Sequence, residues 1–334
     1  MFGKNDDIQS RNFLNNIQYK LISQKDNILF FLLLGRTGVG KSSTINSLMG
    51  KEVANVGDYE PTTMEIKQYE SELNGIKFTV IDTPGLCDDL EEFEKDYSHL
   101  ELIRSNVEKI DSMWFVSELH ATRVTSDEKR GIKLISQSLT PEIWNRAVII
   151  FTFAGQVDSS KYAYTLSKRT ELIRKEIAQY TGDEVAKNIP SVAVDNKSAT
   201  TPDGQKWLGE LFTQVYARIS DKGMTPFLLS VVDRIKPPKK EKEIVYVPKP
   251  VTGLAAVEQF LKMSTGGDIE LNERQIEIIR KKTAAAWGIT GAAIGAVIGS
   301  GAGPLGTIIG GAIGGGGGLL LGKAAEFLKG VFGK

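Results

Sequence analysis

Gly35 to Ser43 read GRTGVGKSS and fit the pattern G-x-x-x-x-G-K-[ST] of a phosphate-binding loop, the P-loop. The uninterrupted apolar run Ile28 to Leu34 comes directly before it and has the length of a buried parallel strand. The residues after it, Ser42 to Met49, are predicted to form a helix. Glycines let the backbone approach phosphate oxygens closely, and N–H groups at the start of a helix favour an anion. Strand, glycine loop and helix therefore come in the order that a phosphate site needs.

The P-loop also predicts the first contacts to a nucleotide and its metal ion. Lys41 is expected to reach the β- and γ-phosphates, and the Ser42 hydroxyl is expected to bind Mg²⁺. The residues predicted to line this phosphate site are Arg36, Thr37, Gly38, Val39, Gly40, Lys41, Ser42 and Ser43.

Two further loops carry the groups that a nucleotide switch needs. A threonine hydroxyl before the strand predicted over Glu65 to Leu73 would complete the Mg²⁺ shell; Thr63 is favoured, with Thr62 as the alternative. Asp82 ends the next strand and would hold Mg²⁺ through water, and the N–H of Gly85 would meet the γ-phosphate. P-loop, threonine loop and the DTPG sequence at 82–85 together predict a GTPase-type domain.

The expected hydrolysis is slow. Many GTPases carry a glutamine directly after the DTPG-type glycine, where it orients the attacking water. Here the residue after Gly85 is Leu86, which has no hydrogen-bonding side chain. Lys41, Thr63 and Gly85 remain the predicted catalytic contacts within the chain.

Strand and helix patterns alternate along the rest of this region. Asn74-Gly75 predicts a two-residue hairpin turn. Helices are predicted over Ser126 to Ser138, with Ser126 as the cap, over Ser167 to Tyr180, and over Trp207 to Ser220. The predicted fold class is α/β, a P-loop NTPase G domain with a mostly parallel sheet and helices on both faces. Ligands in such sheets bind at the carboxyl ends of the strands.

Composition argues against several classes of protein. Lys plus Arg equals Asp plus Glu at 41 each, so the chain has no global basic field that would predict nucleic-acid binding. The single cysteine, Cys87, cannot form an internal disulfide, and two histidines disfavour a His/Cys zinc site. The polar N-terminal sequence does not predict a signal peptide, so secretion is not expected.

Residues 35–50, GRTGVGKSSTINSLMG, resemble the P-loop of the Toc/AIG (GIMAP-like) septin-related GTPases. The resemblance continues at 82–86 (DTPGL) and returns at 148–152 (VIIFT) and 202–204 (PDG). It covers residues 25–220, and the G domain is closest to the chloroplast import-receptor branch of the family. The resemblance implies GTP or GDP and Mg²⁺ as ligands, and a homodimer or oligomer that forms across the nucleotide.

The same resemblance implies the contacts to the base. The family has Thr-His-Ala where residues 152–154 read TFA, so Phe153 takes the histidine position and can stack on a base but cannot hydrogen-bond to it. Asp195 and Asn196 take the Glu-Asn position that contacts the base. Because a carboxylate can accept two guanine donors, guanine is favoured over adenine.

An arginine near the partner's phosphates is a feature of some family members. The corresponding position here is Glu118. Arg123 matches another recurrent arginine of the family and is the candidate catalytic residue at a dimer contact. The alternative is an ordinary surface arginine in a salt bridge.

The glycines mark a second region, since 17 of the 34 follow Thr283. Residues 283–322 contain no charge and repeat glycine at four-residue spacing, which predicts a glycine-zipper helical hairpin. Each half approaches the roughly 17 to 25 residues that cross a bilayer, so membrane insertion is favoured. A hairpin packed on protein and a flexible tail are the alternatives.

The predicted organisation is an N-terminal helix at 1–25, the G domain at 26–222, a linker rich in proline and charge at 223–250, and a helical region at 251–334. The predicted function is a GTP-binding switch protein with slow GTP hydrolysis, held at the cytoplasmic face of a membrane by residues 283–322. The alternative is a GTP-held scaffold or membrane-acting effector whose hydrolysis is vestigial.

Overall fold

A computed structural model of the chain describes residues 28–54, 67–83, 109–139, 141–236 and 268–287. It divides into two compact units. One unit is Lys25–Phe227, and the other combines Met1–Gln24 with Leu228–Lys334. The P-loop and the strands lie in the first unit.

The first unit is built on a six-stranded sheet. Its strands are β1 (Ile28–Leu34), β2 (Lys67–Leu73), β3 (Ile76–Thr83), β4 (Ser112–Glu118), β5 (Ala147–Thr152) and β6 (Ser191–Ala193). The spatial order is β2-β3-β1-β4-β5-β6, and every neighbouring pair is parallel except β2 with β3. The mostly parallel α/β sheet predicted from the alternating pattern is therefore confirmed.

The one antiparallel pair follows from its turn. Asn74 and Gly75 both take positive φ, at 54° and 74°, the signature of the mirror-image turn that matches the twist of a hairpin. Leu73 and Ile76 face each other directly across it. The Asn-Gly prediction is confirmed, and the hairpin brings β3 back beside β1, so that Asp82 pairs in register with Leu33.

Helices cover both faces of this sheet. They are α1 (Lys41–Met49), α2 (Ser126–Ser138), α3 (Ser159–Thr181), α4 (Asp183–Lys187), α5 (Trp207–Arg218) and α6 (Asp221–Val231). On one face, Ile135 of α2 and Ile173 of α3 join Leu32 and Phe115 in a buried core. On the other face, Phe227 of α6 lies 6.1 Å from Phe31, between ring centroids.

The predicted cap of α2 is wrong. Thr125, not Ser126, is the N-cap: its side chain accepts from the N–H of Glu128 at 3.2 Å. Glu128 Oε2 in turn accepts from the N–H of Thr125 at 2.8 Å, which completes a capping box. Taking Ser126 as the cap shifted the register by one residue and placed a lysine, Lys129, where the box carries a glutamate.

The predicted start of α3 is also wrong. The helix begins at Ser159 rather than Ser167, because Asp158 caps it by accepting from the N–H of Ser160 at 2.8 Å. The additional turns lengthen the helix to 23 residues. This helix carries Arg169 and Arg174.

At the amino ends of the strands, a buried carboxylate connects β4 to the start of α6. Asp111 is 1 % exposed; it accepts from the N–H of Phe30 at 3.0 Å and from the hydroxyl of Ser220. Ser220 Oγ accepts from the N–H of Gly223 at 3.0 Å, within the first turn of α6. A side chain at Gly223 would collide with Asp111. Helix α6 also runs across position 222, where the sequence predicted the G domain to end.

The second unit is described over residues 228–236 and 268–287. Ile235 and Ile269 form a parallel bridge, and the Arg234–Asp268 and Lys236–Glu270 ion pairs flank it. Helix α7, Glu273–Trp287, follows and enters the uncharged glycine-rich stretch by five residues, 283–287.

Most of the predicted zipper, residues 288–322, lies outside the described residues, as does the predicted helix at 1–25. Among the residues that the structure does describe, no helix is both long and apolar enough to cross a bilayer.

Candidate functional site

The P-loop joins the carboxyl end of β1 to the start of α1. Gly38 and Gly40 take positive φ, at 79° and 87°, a conformation that L side chains rarely adopt. A side chain at Gly35 would collide with the carbonyl of Val116 on β4. The loop therefore needs its glycines for two separate reasons, backbone conformation and close approach to the neighbouring strand.

The predicted phosphate-site residues form one continuous turn around the start of α1. Arg36, Thr37 and Gly38 are exposed at its tip. Val39 is buried beneath it, and Ser42 and Ser43 are half-buried in the first turn of α1. The exposed backbone and the N-terminus of α1 thus occupy the same edge of the sheet, which is the arrangement that binds an anion.

Lys41 is the buried cation of this loop. Lys41 is 5 % exposed, and its amine donates to the carbonyls of Gly35 at 2.9 Å and Arg36 at 3.0 Å. Its Nζ also lies 3.4 Å from Oδ1 of Asp82, at the carboxyl end of β3. Two of the predicted site residues, 41 apart in sequence, are therefore brought into an ion pair.

The second half of the site lies where β5 and β6 end. Thr152, the last residue of β5, borders the P-loop: a side chain at Gly40 would lie 3.4 Å from its Cγ2. Phe153 follows in the left-handed region at φ 57°, an uncommon conformation for a non-glycine residue that marks functional loops. The Phe153 ring is half-buried and lies 6.3 Å from the ring of His120.

Asp195 lies against the loop that carries Phe153. A side chain at Gly155 would collide with the Asp195 carboxylate, so this glycine is what lets the two loops approach each other. Oδ1 of Asp195 accepts from the N–H of Lys197 at 3.0 Å. Phe153 and Asp195 are thereby placed on adjacent loops at the edge of the sheet where the P-loop lies.

Asn196 does something that its predicted role did not include. Its Nδ2 donates to Thr44 Oγ1 at 3.0 Å, and its Oδ1 accepts from Ser47 Oγ at 3.2 Å. Both partners are on α1, so this amide braces the loop after β6 against the P-loop helix. The contact of Asn196 with a base stays a prediction.

Arg123 lies on the segment between β4 and α2. Its side chain is exposed, and its carbonyl accepts from Nη1 of Arg169 at 2.8 Å. Glu118, at the start of the same segment, is 3.5 Å from His120 Nε2 and 35 % exposed. Both readings of Arg123, the dimer contact and the surface salt bridge, stay predictions.

Sequence reasoning missed three residues around this segment. Arg169 and Glu128 are both buried and form an ion pair at 2.5 Å. Asp127, in the first turn of α2, forms an ion pair at 3.1 Å with Arg36 of the P-loop. Each pair joins positions that are distant in sequence, so no local pattern identifies the partner. The one available signal was Glu128 itself, three residues after Thr125, as a capping box requires.

The remaining predicted residues lie outside the described part of the chain. They are Thr63, its alternative Thr62, and Gly85. Within the described residues no cluster of three or more His, Cys, Asp and Glu side chains forms a metal site. The Mg²⁺ ligands predicted within that part are Ser42 and Asp82, a hydroxyl and a carboxylate.

Residues 29–244 match the family model described as the AIG1 family. Translocase of chloroplast 34 from Pisum sativum is 27 % identical over 260 residues, which cover 70 % of this chain and 83 % of that protein. Translocase of chloroplast 33 from Arabidopsis thaliana is 30 % identical over 210 residues, 57 % of this chain and 69 % of that protein. The crystal structure of Toc33 from Arabidopsis thaliana in complex with GDP and Mg²⁺ aligns with a TM-score of 0.48 at 27 % identity, covering 62 % of this chain and 90 % of that one.

Proposed function

This chain belongs to the AIG1 family, and on that premise we propose that it is a GTP-binding switch protein that hydrolyses GTP slowly. The observation that carries the proposal is the buried amine of Lys41, which lies 3.4 Å from Asp82. It belongs to a loop whose backbone conformation requires glycine at positions 38 and 40. Burying an amine is costly unless it meets negative charge. Asp82 supplies one negative charge, and a bound triphosphate would supply more at the place where Lys41 and the N-terminus of α1 converge.

Mg²⁺ fits the residues that are present. Ser42 and Asp82 offer oxygen ligands, which Mg²⁺ prefers, and the register of β1 with β3 places Asp82 beside the strand that feeds the P-loop. When bound, the ion would neutralise charge on the β- and γ-phosphates. Lys41 then orients the phosphates, and Thr63 and Gly85 are the residues we assign to sensing the γ-phosphate.

Guanine is the proposed base. Phe153 offers a half-buried ring for stacking, and Asp195 offers a carboxylate that can accept the two donors of guanine. Adenine presents its amine elsewhere on the ring, so the same carboxylate would favour it less. Asn196 supports this arrangement indirectly, because it fixes the loop of Asp195 to α1.

Slow hydrolysis and dimerisation are proposed together. Leu86 stands where many GTPases carry a glutamine, and its side chain cannot hydrogen-bond to the attacking water. We therefore expect the single chain to hydrolyse GTP slowly. The side chain of Arg123 is exposed, and its carbonyl is held by Arg169. In a dimer, Arg123 of one copy is the group that we propose approaches the γ-phosphate bound to the other copy. A cation supplied there would stabilise charge that develops in the transition state.

Membrane attachment is proposed for the glycine-rich region. Residues 283–322 are uncharged over 40 positions, and helix α7 leads into them with Lys281 and Lys282 just before. Cations beside an apolar stretch favour the cytoplasmic side of a membrane. A switch domain tethered in this way would report its nucleotide state at that surface.

Nucleotide binding and turnover test the proposal directly. We expect the full chain with Mg²⁺ to bind GTP and GDP, to bind ATP at least about tenfold more weakly, and to hydrolyse GTP at a rate per site that rises with protein concentration. Equal affinity for ATP would refute the guanine assignment. Failure to bind any nucleoside triphosphate would refute the proposed function as a whole.

The alternative is a GTP-held scaffold with vestigial hydrolysis, and Leu86 is the observation that favours it. Turnover that stays negligible at every protein concentration, together with tight GTP binding, would select this alternative. For the membrane, the full chain should sediment with liposomes, and a truncation ending at 250 should stay in the supernatant. If both forms stay in the supernatant, the zipper is a protein-packing element.

A further inference from the structure

The segment from Glu118 to Thr125, which we call the β4–α2 segment, is the part of the site that no nucleotide motif accounts for. It leaves the sheet at Glu118 and ends at Thr125, the cap of α2. Along it the side chain of Arg123 is exposed, and the side chains of His120 and Glu118 are 41 % and 35 % exposed. Such a segment costs conformational entropy to hold in one shape.

One buried guanidinium contacts the segment at two separated points. Arg169 of α3 is 2 % exposed; its Nη1 donates to the carbonyl of Arg123 at 2.8 Å, and its Nε lies 3.4 Å from the carbonyl of Glu118. The planar fork of arginine fixes the angle between its donors, so both carbonyls are held in one geometry. A lysine has one ammonium group and cannot span both points.

The charge of this guanidinium is balanced by Glu128, the acidic residue of the capping box at the start of α2. Nη2 of Arg169 donates to Glu128 Oε1 at 2.5 Å and to Ser117 Oγ at 2.7 Å, and Glu128 Oε2 accepts from the N–H of Thr125. The same carboxylate thus connects the guanidinium to the far end of the segment. A buried ion pair contributes little net stability compared with apolar packing, so its distinctive contribution here is geometry.

We propose that Arg169 is a positioning residue, which holds the β4–α2 segment in the shape that a second copy of this chain contacts. The inference rests on the proposed function, because it assigns a role to the segment that carries Arg123. Arg169 acts through the backbone of the segment rather than on a nucleotide. A preformed segment lowers the ordering cost of association.

The chain offers a matched control on the same helix. Arg174 of α3 is half-buried, and its Nε donates to the carbonyl of Ile189 at 2.9 Å, before β6 begins. Arg174→Lys therefore removes a similar guanidinium–carbonyl contact away from the β4–α2 segment. Glu128→Gln serves as a second variant of the network, because glutamine can still complete the capping box while the charge that balances Arg169 is removed.

The experiment measures three properties of the full chain and of the Arg169→Lys, Glu128→Gln and Arg174→Lys variants. Hydrogen exchange of peptides covering residues 118–125 reports the order of the segment. Sedimentation velocity with a non-hydrolysable GTP analogue reports self-association. The affinity for GTP, measured at protein concentrations too low for self-association, reports on the phosphate and base sites by themselves.

We expect Arg169→Lys to speed exchange in 118–125 and to weaken self-association, each by about tenfold, while the GTP affinity of the single chain changes less than about twofold. Glu128→Gln should change exchange and self-association in the same direction, and Arg174→Lys should change neither.

Three results would overturn the proposal: unchanged exchange in Arg169→Lys, faster exchange with unaltered association, or the same losses in Arg174→Lys. If the wild-type chain binds GTP but does not associate, the proposal fails together with proposed dimerisation. If the wild-type chain associates and only the variants behave otherwise than expected, the positioning role alone fails.

Discussion

The two edges of the sheet each bury an aspartate, and the two aspartates are held in opposite ways. At the carboxyl edge, Asp82 lies 3.4 Å from the amine of Lys41, beside exposed loops. At the amino edge, Asp111 is held by the N–H of Phe30 and the hydroxyl of Ser220. Burial raises the pKa of Asp111, and its hydrogen bonds and the more distant Lys222 and Arg146 only partly offset that effect.

The comparison shows how the same buried residue type can serve binding or folding. A carboxylate paired with a buried cation beside a phosphate loop provides charges that a ligand and its metal ion can use. A carboxylate that accepts from a backbone N–H and a hydroxyl connects two elements of the chain, here β4 and α6. Substitutions at the two edges should therefore change different measurements.

Lys41→Ala should have the largest effect. We expect it to weaken GTP binding by about 100-fold or more, because it removes the buried charge that we propose contacts the phosphates. Isothermal titration calorimetry measures this, with Lys51→Ala as the control, since Lys51 is exposed and donates to the carbonyl of Glu72. Near-normal GTP binding by Lys41→Ala would remove the functional half of the comparison.

Asp111→Ala should destabilise the fold by about 2–4 kcal/mol and leave GTP affinity unchanged. The substitution removes the hydrogen-bond acceptor of the Phe30 N–H and of the Ser220 hydroxyl. Asp111→Asn should cost less than about 1 kcal/mol, since its amide can accept from Phe30 and donate to Ser220. Urea unfolding measures both. A loss of GTP affinity in Asp111→Ala at a temperature where it is folded would contradict the division between the edges.

The stability difference between wild type and Asp111→Asn should depend on pH. Because the folded pKa of Asp111 is raised above 3.8, the folded protein binds this proton more tightly than the unfolded chain. The contribution of Asp111 is therefore full below pH 3.8 and is lost as pH rises through the raised folded pKa. Unfolding free energies measured across that window should fall with pH for wild type relative to Asp111→Asn; a constant or rising difference would contradict the raised pKa.

Thr125→Ala should have a smaller effect than Asp111→Ala, about 1 kcal/mol of stability, because it removes the side-chain half of a capping box at the start of α2. Ser126→Ala, one residue later, should change stability by only a few tenths of a kcal/mol, as a surface substitution does. Thermal unfolding of the pair separates the two. A larger loss in Ser126→Ala would mean that Ser126 is the cap after all.

The sequence was most informative where local rules are strict. The apolar run Ile28–Leu34 is β1 at its predicted bounds, since a strand buried on both faces needs no alternation. Asn74-Gly75 closes the hairpin because few other residues accept positive φ at both positions. The predictions that failed concern the starts of helices: for α2 the neighbouring residues Thr125 and Ser126 could both serve as the cap, and for α3 the cap Asp158 lies well before the predicted start.

The sequence by itself determined the family, the phosphate loop and the α/β class, because these depend on residues that are adjacent or regularly spaced. Only the tertiary structure decided the partners of the charged side chains. Lys41 meets Asp82, Arg169 meets Glu128, and Asn196 braces Thr44, each across at least 41 positions. Nothing in a local pattern selects one carboxylate or hydroxyl over another; the pairing follows from which strand ends and helix faces the sheet topology brings together.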